Sequence, residues 1–351
     1  MMPAKKPFLK IEHTDGERVR RTLIESNLLD LDYKIISQEG ALFIPLQQGI
    51  QEKHLEEIVG HTNFETGEME FEPLSQGPKS LTEALEGHLS PEEIELVPRA
   101  YDLIGDIAVL EIPDELAKHR ETIGKVFHKV HKNFRTILTK KGAISGTTRI
   151  REYECLSGED KTDTIHIEYG CRLAVDLSKA YFSPRLLEEH NRIANLVETS
   201  EFVVDMFCGV GPFPIHIARQ KNAHVVAIDI NPEAIALLNR SIGLNKLVGT
   251  IEPIVGDAKD YSGSHVADRI IMNHPSGAFD FVSDACRILK PNGILHYYEF
   301  TRGEDPEGTL AEKLTKLVEE TGRSIESVNL VRRVRDSAPY EFQMVIDVVI
   351  K

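Results

Sequence analysis

The second half of the chain alternates short apolar runs with stretches of helical spacing, the rhythm of a βαβα fold. Val203-Val-Asp-Met is followed by a glycine-containing turn, and Ile215, Ile217 and Ala218 then begin a helix. His224-Val-Val-Ala-Ile ends in Asp229, and Ile251-Glu-Pro-Ile-Val ends in Gly256-Asp257. Arg269-Ile-Ile-Met reads as a fourth strand, Gly293-Ile-Leu-His-Tyr-Tyr as a fifth, and Gln343 to Ile350 as the last. Asn231-Pro232 gives a helix cap followed by proline at the first helical position, with Ile235, Leu238 and Ile242 on one face.

The pattern upstream is less regular. Val19, Leu23, Ile24 and Leu28 predict a helix over 16–29, and 33–37 and 41–46 alternate like strands. The stretch 73–80, Pro-Leu-Ser-Gln-Gly-Pro-Lys-Ser, has a linker's composition. A helix is expected over 81–88, another from Ser90-Pro91, a strand over 106–112, and a helix from Asp114 to about Val130. Segments 147–155 and 164–176 look like hairpins. The domains expected are 1–72, a linker 73–80, 81–180 and 181–351, all α/β.

Chemistry enters at the strand ends. Gly209 and Gly211 permit a turn against which a ligand can lie closely. Pro214 occupies the place of the third glycine of a dinucleotide fingerprint, and no Gly-Lys-Ser/Thr is present. Asp205, just before the turn, is placed to accept hydrogen bonds from an amino group, and Asp229 suits a ribose diol. This spacing resembles the S-adenosylmethionine site of class I methyltransferases, and the resemblance puts Asp257 by the adenine amino group. It also adds Phe207, Ile230, Asn273 and Pro275 to the cofactor-binding set. Met272-Asn-His-Pro after the fourth strand resembles the Asn-Pro-Pro-Tyr class of base-methylating motifs, in which the amide offers both a donor and an acceptor.

Composition narrows the partners. No apolar run reaches the roughly 18 residues of a membrane span, and Met-Met-Pro-Ala-Lys-Lys-Pro is not expected to be a signal peptide. Cys155, Cys171, Cys208 and Cys286 are scattered, as expected for reduced thiols in a cytoplasmic protein, and no metal site is expected. The net charge of −15 argues against general polyanion binding. Yet residues 125–151 hold eight cations and no acid: Lys125, Lys129, Lys132, Arg135, Lys140, Lys141, Arg149 and Arg151. Such a block is a local footprint for nucleic acid, the alternative being a solvated face.

Lys179-Ala-Tyr-Phe-Ser-Pro-Arg-Leu-Leu-Glu-Glu-His, Arg149-Ile-Arg-Glu-Tyr-Glu, the Asp205 turn, Asn273-His-Pro and Ala338-Pro-Tyr-Glu together resemble the archaeal and eukaryotic type of tRNA (guanine-N1)-methyltransferase. The resemblance covers nearly the whole chain. It implies a Rossmann-like catalytic domain preceded by two smaller RNA-binding domains, S-adenosylmethionine as cofactor, tRNA as substrate and action as a monomer. It also implies methylation of the guanosine 3′ of the anticodon. Glu189 is then the general base at N1, Arg149 the partner of O6, Asn273 the holder of the Watson–Crick edge, and Tyr181 a packing residue near cofactor and base. Arg185 and His190 join the expected RNA contacts, with His190 standing where the family is expected to carry arginine. The wybutosine-pathway aminocarboxypropyltransferase shares this architecture. A non-catalytic RNA-binding protein with a vestigial cofactor fold is the other alternative.

Overall fold

The computed structural model describes residues 3–38, 40–50, 52–60, 62–74, 80–145, 150–338 and 340–351. The chain forms two compact units, Met1–Ala84 and Leu85–Lys351.

The first unit is a four-stranded antiparallel sheet with Ala4–Glu12 between Ala41–Pro45 and Glu65–Phe71, and Ile36–Gln38 outside. Ala4–Glu12 was not expected as a strand, because its lysines mask the alternation. Two of them pair across the sheet, Lys5 with Glu68 and Lys10 with Glu65. The helices Gly16–Glu25 and Glu52–Val59 close a core of Leu9, Ile11, Val19, Leu23, Ile44 and Leu55. The first helix stops short of the expected end at 29, and Asn27 takes a left-handed φ of 57° just beyond it.

In the second unit, Ser90 and Glu93 form a capping box. Ile107–Leu110 and Thr136–Ser145 pair in parallel, joined through the helix Arg120–Val130. Ile150–Gly158 pairs antiparallel with Thr136–Ser145, so 150–155 belongs to one strand of a longer pair and is not a hairpin of its own, while 147–149 of the expected segment lie outside the described residues. Asp163–Glu168 and Cys171–Asp176 do form the expected hairpin.

A seven-stranded sheet carries the site. Its strands are β1 (Phe202–Asp205), β2 (His224–Asp229), β3 (Thr250–Val255), β4 (Ala267–Met272), β5 (Leu289–Arg302), β6 (Ile325–Ala338) and β7 (Glu341–Ile350). They lie in the order β3-β2-β1-β4-β5-β7-β6, with β5/β7 and β7/β6 antiparallel and the other neighbours parallel. Neighbouring residues of a strand face opposite sides. Val204, Val226 and Ile270 pack with helices α4 (Val282–Ile288) and α5 (Pro306–Glu319). Val203, Val225 and Ile271 pack with α1 (Leu187–Leu196) and α2 (Pro212–Gln220). Both faces being covered, these strands read as nearly continuous apolar runs. Strand β6 was not expected at all.

The expected boundary at 180/181 does not separate two cores. One apolar cluster joins Ile107, Val109 and Leu138 of the smaller sheet to Leu173 and Val175 of the hairpin. It continues into Ile215 of α2 and Leu238 of α3 (Pro232–Leu244).

Candidate active site

The carboxyl ends of β1, β2 and β4 open onto a cleft of about 580 Å³, within the range usual for small-ligand sites. Helix α2 begins at the glycine turn. Gly211 holds φ at 82°, and a Cβ there would meet Leu238 Cδ1 at 2.2 Å. Gly209 holds φ at 53° and lines the cleft, with its N–H donating to Asp229 Oδ2 at 2.7 Å. Asn231 N–H donates to the other oxygen, Oδ1, at 2.9 Å. Each Asp229 oxygen therefore keeps a lone pair for a ligand hydroxyl. Burial pushes the Asp229 carboxyl above its usual range.

Phe207, Ile230, Asp257, Asn273 and Pro275 also line the cleft, as does Tyr181. Ile230 is 52% exposed, an apolar side chain open to a flat ligand. One Asp257 oxygen accepts from Lys259 N–H at 2.9 Å. Gly211 and Asp205 lie behind the wall and not on it. Asp205 is fully buried, and its Oδ1 accepts from Phe207 N–H at 3.2 Å. Its Oδ2 has no partner among the described residues. Desolvation, with the nearby Asp229 charge adding to it, pushes this carboxyl up to about 8. Cys208 is a buried thiol raised by desolvation, consistent with packing.

Opposite the glycine turn, a hydrogen-bonded row runs from β6 to β4. Arg335 Nε donates to Gln343 Oε1 at 2.7 Å, and Gln343 Nε2 donates to Asn273 Oδ1 at 3.3 Å. Arg335 also reaches Ser183 Oγ at 3.3 Å and Tyr181 Oη at 3.4 Å. Neither Arg335 nor Gln343 was expected from the sequence. The basic run Val331-Arg-Arg-Val-Arg is the signal that could have pointed to the first.

Glu189 sits on α1, buried, and is not part of the cleft wall. Arg192 bonds both of its oxygens, Tyr298 Oη donates to Oε2 at 2.8 Å, and Arg332 pairs with Oε1. Arg192 is itself held by Asp347, whose carboxyl is kept down to about 2 by His296 and Arg192 against the cost of burial. The burial of Glu189 is thus accompanied by two guanidinium partners. Neighbouring Glu188 accepts from Tyr169 Oη at 2.5 Å. Arg149 lies outside the described residues.

His190 corrects an expectation. It is 2% exposed, so it is no surface RNA contact. Its Nδ1 lies 2.7 Å from Glu168 Oε2, and its ring forms part of the inner cleft wall. Desolvation lowers its basicity despite Glu168. Glu168, His190 and His216 place one ligand atom each within 4.8 Å of one another, close enough to share a metal ion, a grouping not expected from their spacing along the chain. His216 Nε2 is 3.3 Å from Glu168 Oε2.

The basic block is less free in space than along the chain. Lys125 pairs with Glu121, Lys140 with Glu111 and Asp102, Arg135 with Asp106 at 3.8 Å, and Arg185 with Asp102. Among the described residues no ion pair engages Lys129, Lys132, Lys141 or Arg151, and the three lysines are exposed.

A doubly covered sheet of this strand order, with a glycine turn after β1 and acids ending β1 and β2, defines a class I S-adenosylmethionine-dependent methyltransferase. The residues present fit that cofactor: two acids with free lone pairs on the wall, an exposed apolar side chain between them, and an unpartnered carboxylate oxygen behind the turn. The chain belongs to the TRM5/TYW2 family of tRNA methyltransferases. Residues 164–330 match the TRM5/TYW2 methyltransferase domain, 81–162 the TYW2 N-terminal domain, and 9–54 the tRNA methyltransferase 5 N-terminal domain. The chain is 38% identical to the tRNA (guanine(37)-N(1))-methyltransferase Trm5b of Pyrococcus abyssi over 97% of both chains. It is 32% identical to the tRNA(Phe) (4-demethylwyosine(37)-C(7)) aminocarboxypropyltransferase of Pyrococcus horikoshii, over 78% of this chain and 97% of that one. The structure of Methanocaldococcus jannaschii Trm5 in complex with adenosine superposes with a TM-score of 0.64 at 36% identity, covering 97% of this chain and 98% of that one.

Proposed function

We propose that this chain methylates N1 of guanosine 37 of tRNA, using S-adenosylmethionine, and that it acts as a monomer in the cytoplasm. The observation that carries the reading is a cleft at the strand ends whose residues fit a nucleoside cofactor, in a chain that matches a guanine-37 methyltransferase over 97% of its length. The aminocarboxypropyltransferase match covers less of the chain. No helix among the described residues is long and apolar enough to cross a membrane.

Bound in the cleft, the cofactor supplies an electrophilic methyl group on a sulfonium. Asp229 takes the ribose hydroxyls, Asp257 faces the adenine amino group, and Ile230 and Phe207 cover the ring. Guanine N1 carries a proton at neutral pH, so a base must remove it while negative charge drifts to O6. Glu189 takes that proton once Arg332, the more exposed of its two arginine partners, gives up its place. Arg192 and Tyr298 keep the carboxylate oriented throughout. Tyr181 and Asn273 hold the base, and Arg149 meets O6. Lys129, Lys132, Lys141 and Arg151 contact phosphates.

The test is incubation with labelled S-adenosylmethionine and unmodified tRNA transcript, followed by nucleoside mass spectrometry. The expected product is 1-methylguanosine. Aminocarboxypropyl adducts would favour the rival transferase, and no product with bound cofactor would favour a vestigial site.

A further inference from the structure

Side-chain amides have a donor end and an acceptor end, and the row from β6 to β4 leaves no freedom in which end faces where. A guanidinium has only donors. Gln343 stands directly opposite Arg335 in the β6/β7 ladder and is 1% exposed. Its Oε1 must therefore take the Arg335 Nε proton, at 2.7 Å, which leaves Nε2 for Asn273. Asn273 answers with Oδ1, at 3.3 Å. Its Nδ2 has no acceptor among the described residues and belongs to a side chain that lines the cleft. The orientation follows from the hydrogen-bond logic of the row.

We infer that Gln343 is a positioning residue that fixes the polarity of the Asn273 amide. Asn273 thereby presents its NH2 to the target base, and the site selects a purine with an acceptor at C6. The inference rests on the proposed methylation of guanosine in this cleft. Guanine carries an oxygen acceptor at that position, whereas adenine carries an amino donor. The same NH2 strengthens its hydrogen bond as charge develops on O6. Arg335 is the anchor of the row: a neutral residue in its place would let Gln343, and then Asn273, turn over.

The isosteric variant Gln343→Glu tests this. A carboxylate only accepts, so Asn273 must offer Nδ2 to it and turn Oδ1 toward the base. Single-turnover methylation of guanosine in a tRNA transcript, at saturating enzyme and cofactor, is expected to fall about 10²-fold, the size of one lost oxyanion donor. Gln343→Met, which removes the steering without reversing it, is expected to fall about 10-fold on the same grounds. Affinities for S-adenosylmethionine and tRNA should stay within about threefold, because the interaction is gained in the transition state. In an Asn273→Ala background, Gln343→Glu should cost nothing further, since Gln343 acts through Asn273. A wild-type rate in folded Gln343→Glu, a Met variant slower than the Glu variant, or full additivity with Asn273→Ala would each overturn the inference. Should Gln343→Glu not fold, a wild-type rate in Gln343→Met overturns it and a selective loss of rate supports it. Wild-type protein that binds cofactor but never methylates guanosine refutes the functional reading, and the inference with it.

Discussion

At the residue scale, two carboxylates carry contrasting predictions. Asp205 is an acid whose folded pKa, about 8, lies above its unfolded value near 4. Between those values the folded protein binds the extra proton, so this residue makes stability fall as pH rises from about 4 to 8. In Asp205→Asn that contribution is absent. Thermal melts of cofactor-free protein should therefore show the variant gaining on wild type from pH 5 to pH 8, and a constant difference would refute the assignment. Glu189 makes a kinetic prediction. Glu189→Gln keeps the shape and the Tyr298 contact but cannot take a proton. It should lower the single-turnover rate by about 10²–10⁴-fold, the usual scale of general base catalysis, with cofactor affinity unchanged by calorimetry. Glu188→Gln, whose amide oxygen can still accept from the exposed Tyr169 hydroxyl, should stay near wild type.

At the element scale, the glycine turn is where a small change should be most costly to folding. Gly211→Ala puts a side chain at φ 82° and drives it into Leu238. Backbone strain alone is worth about 1–3 kcal/mol, so urea denaturation should show at least that loss. A neutral effect would mean the turn relaxes freely. This turn and the strands around it were legible because the parallel strands read as apolar runs punctuated by Asp205, Asp229 and Asp257. Strand β6 was not legible. It is an edge strand that carries Arg332, Arg333 and Arg335 within four residues, and its pairing with β7 shifts register at four points. No alternation survives that. The same strand supplies the partners of Glu189 and Gln343, so the gap in the fold and the gap in the site have one cause. The Glu168–His190–His216 group was hidden for a different reason. Its members come from a hairpin and two helices, and no local pattern links them.

At the scale of the whole molecule, charge decides how tRNA is met. The chain is acidic overall, and three of the eight cations in its basic block, Lys125, Arg135 and Lys140, are already paired. Charge reversal of Lys129, Lys132 and Lys141 together should weaken tRNA binding and flatten its salt dependence by roughly 0.7–0.9 in log–log slope per lost phosphate contact. Reversing Lys125 and Lys140 should do less. Filter binding across a salt series separates the two, and equal effects would contradict the pairing seen in space. The strand order carries a further consequence, in time. Strand β7 comes last in sequence but lies between β5 and β6. While the chain is being made from its N-terminal side, β6 emerges with no neighbour to pair with. The cofactor turn, complete in sequence by α2, waits for Gln343 to orient Asn273 and for Asp347 to hold the arginine beside Glu189. A nascent chain therefore completes the glycine turn before it has made the strand that orients the residues facing it.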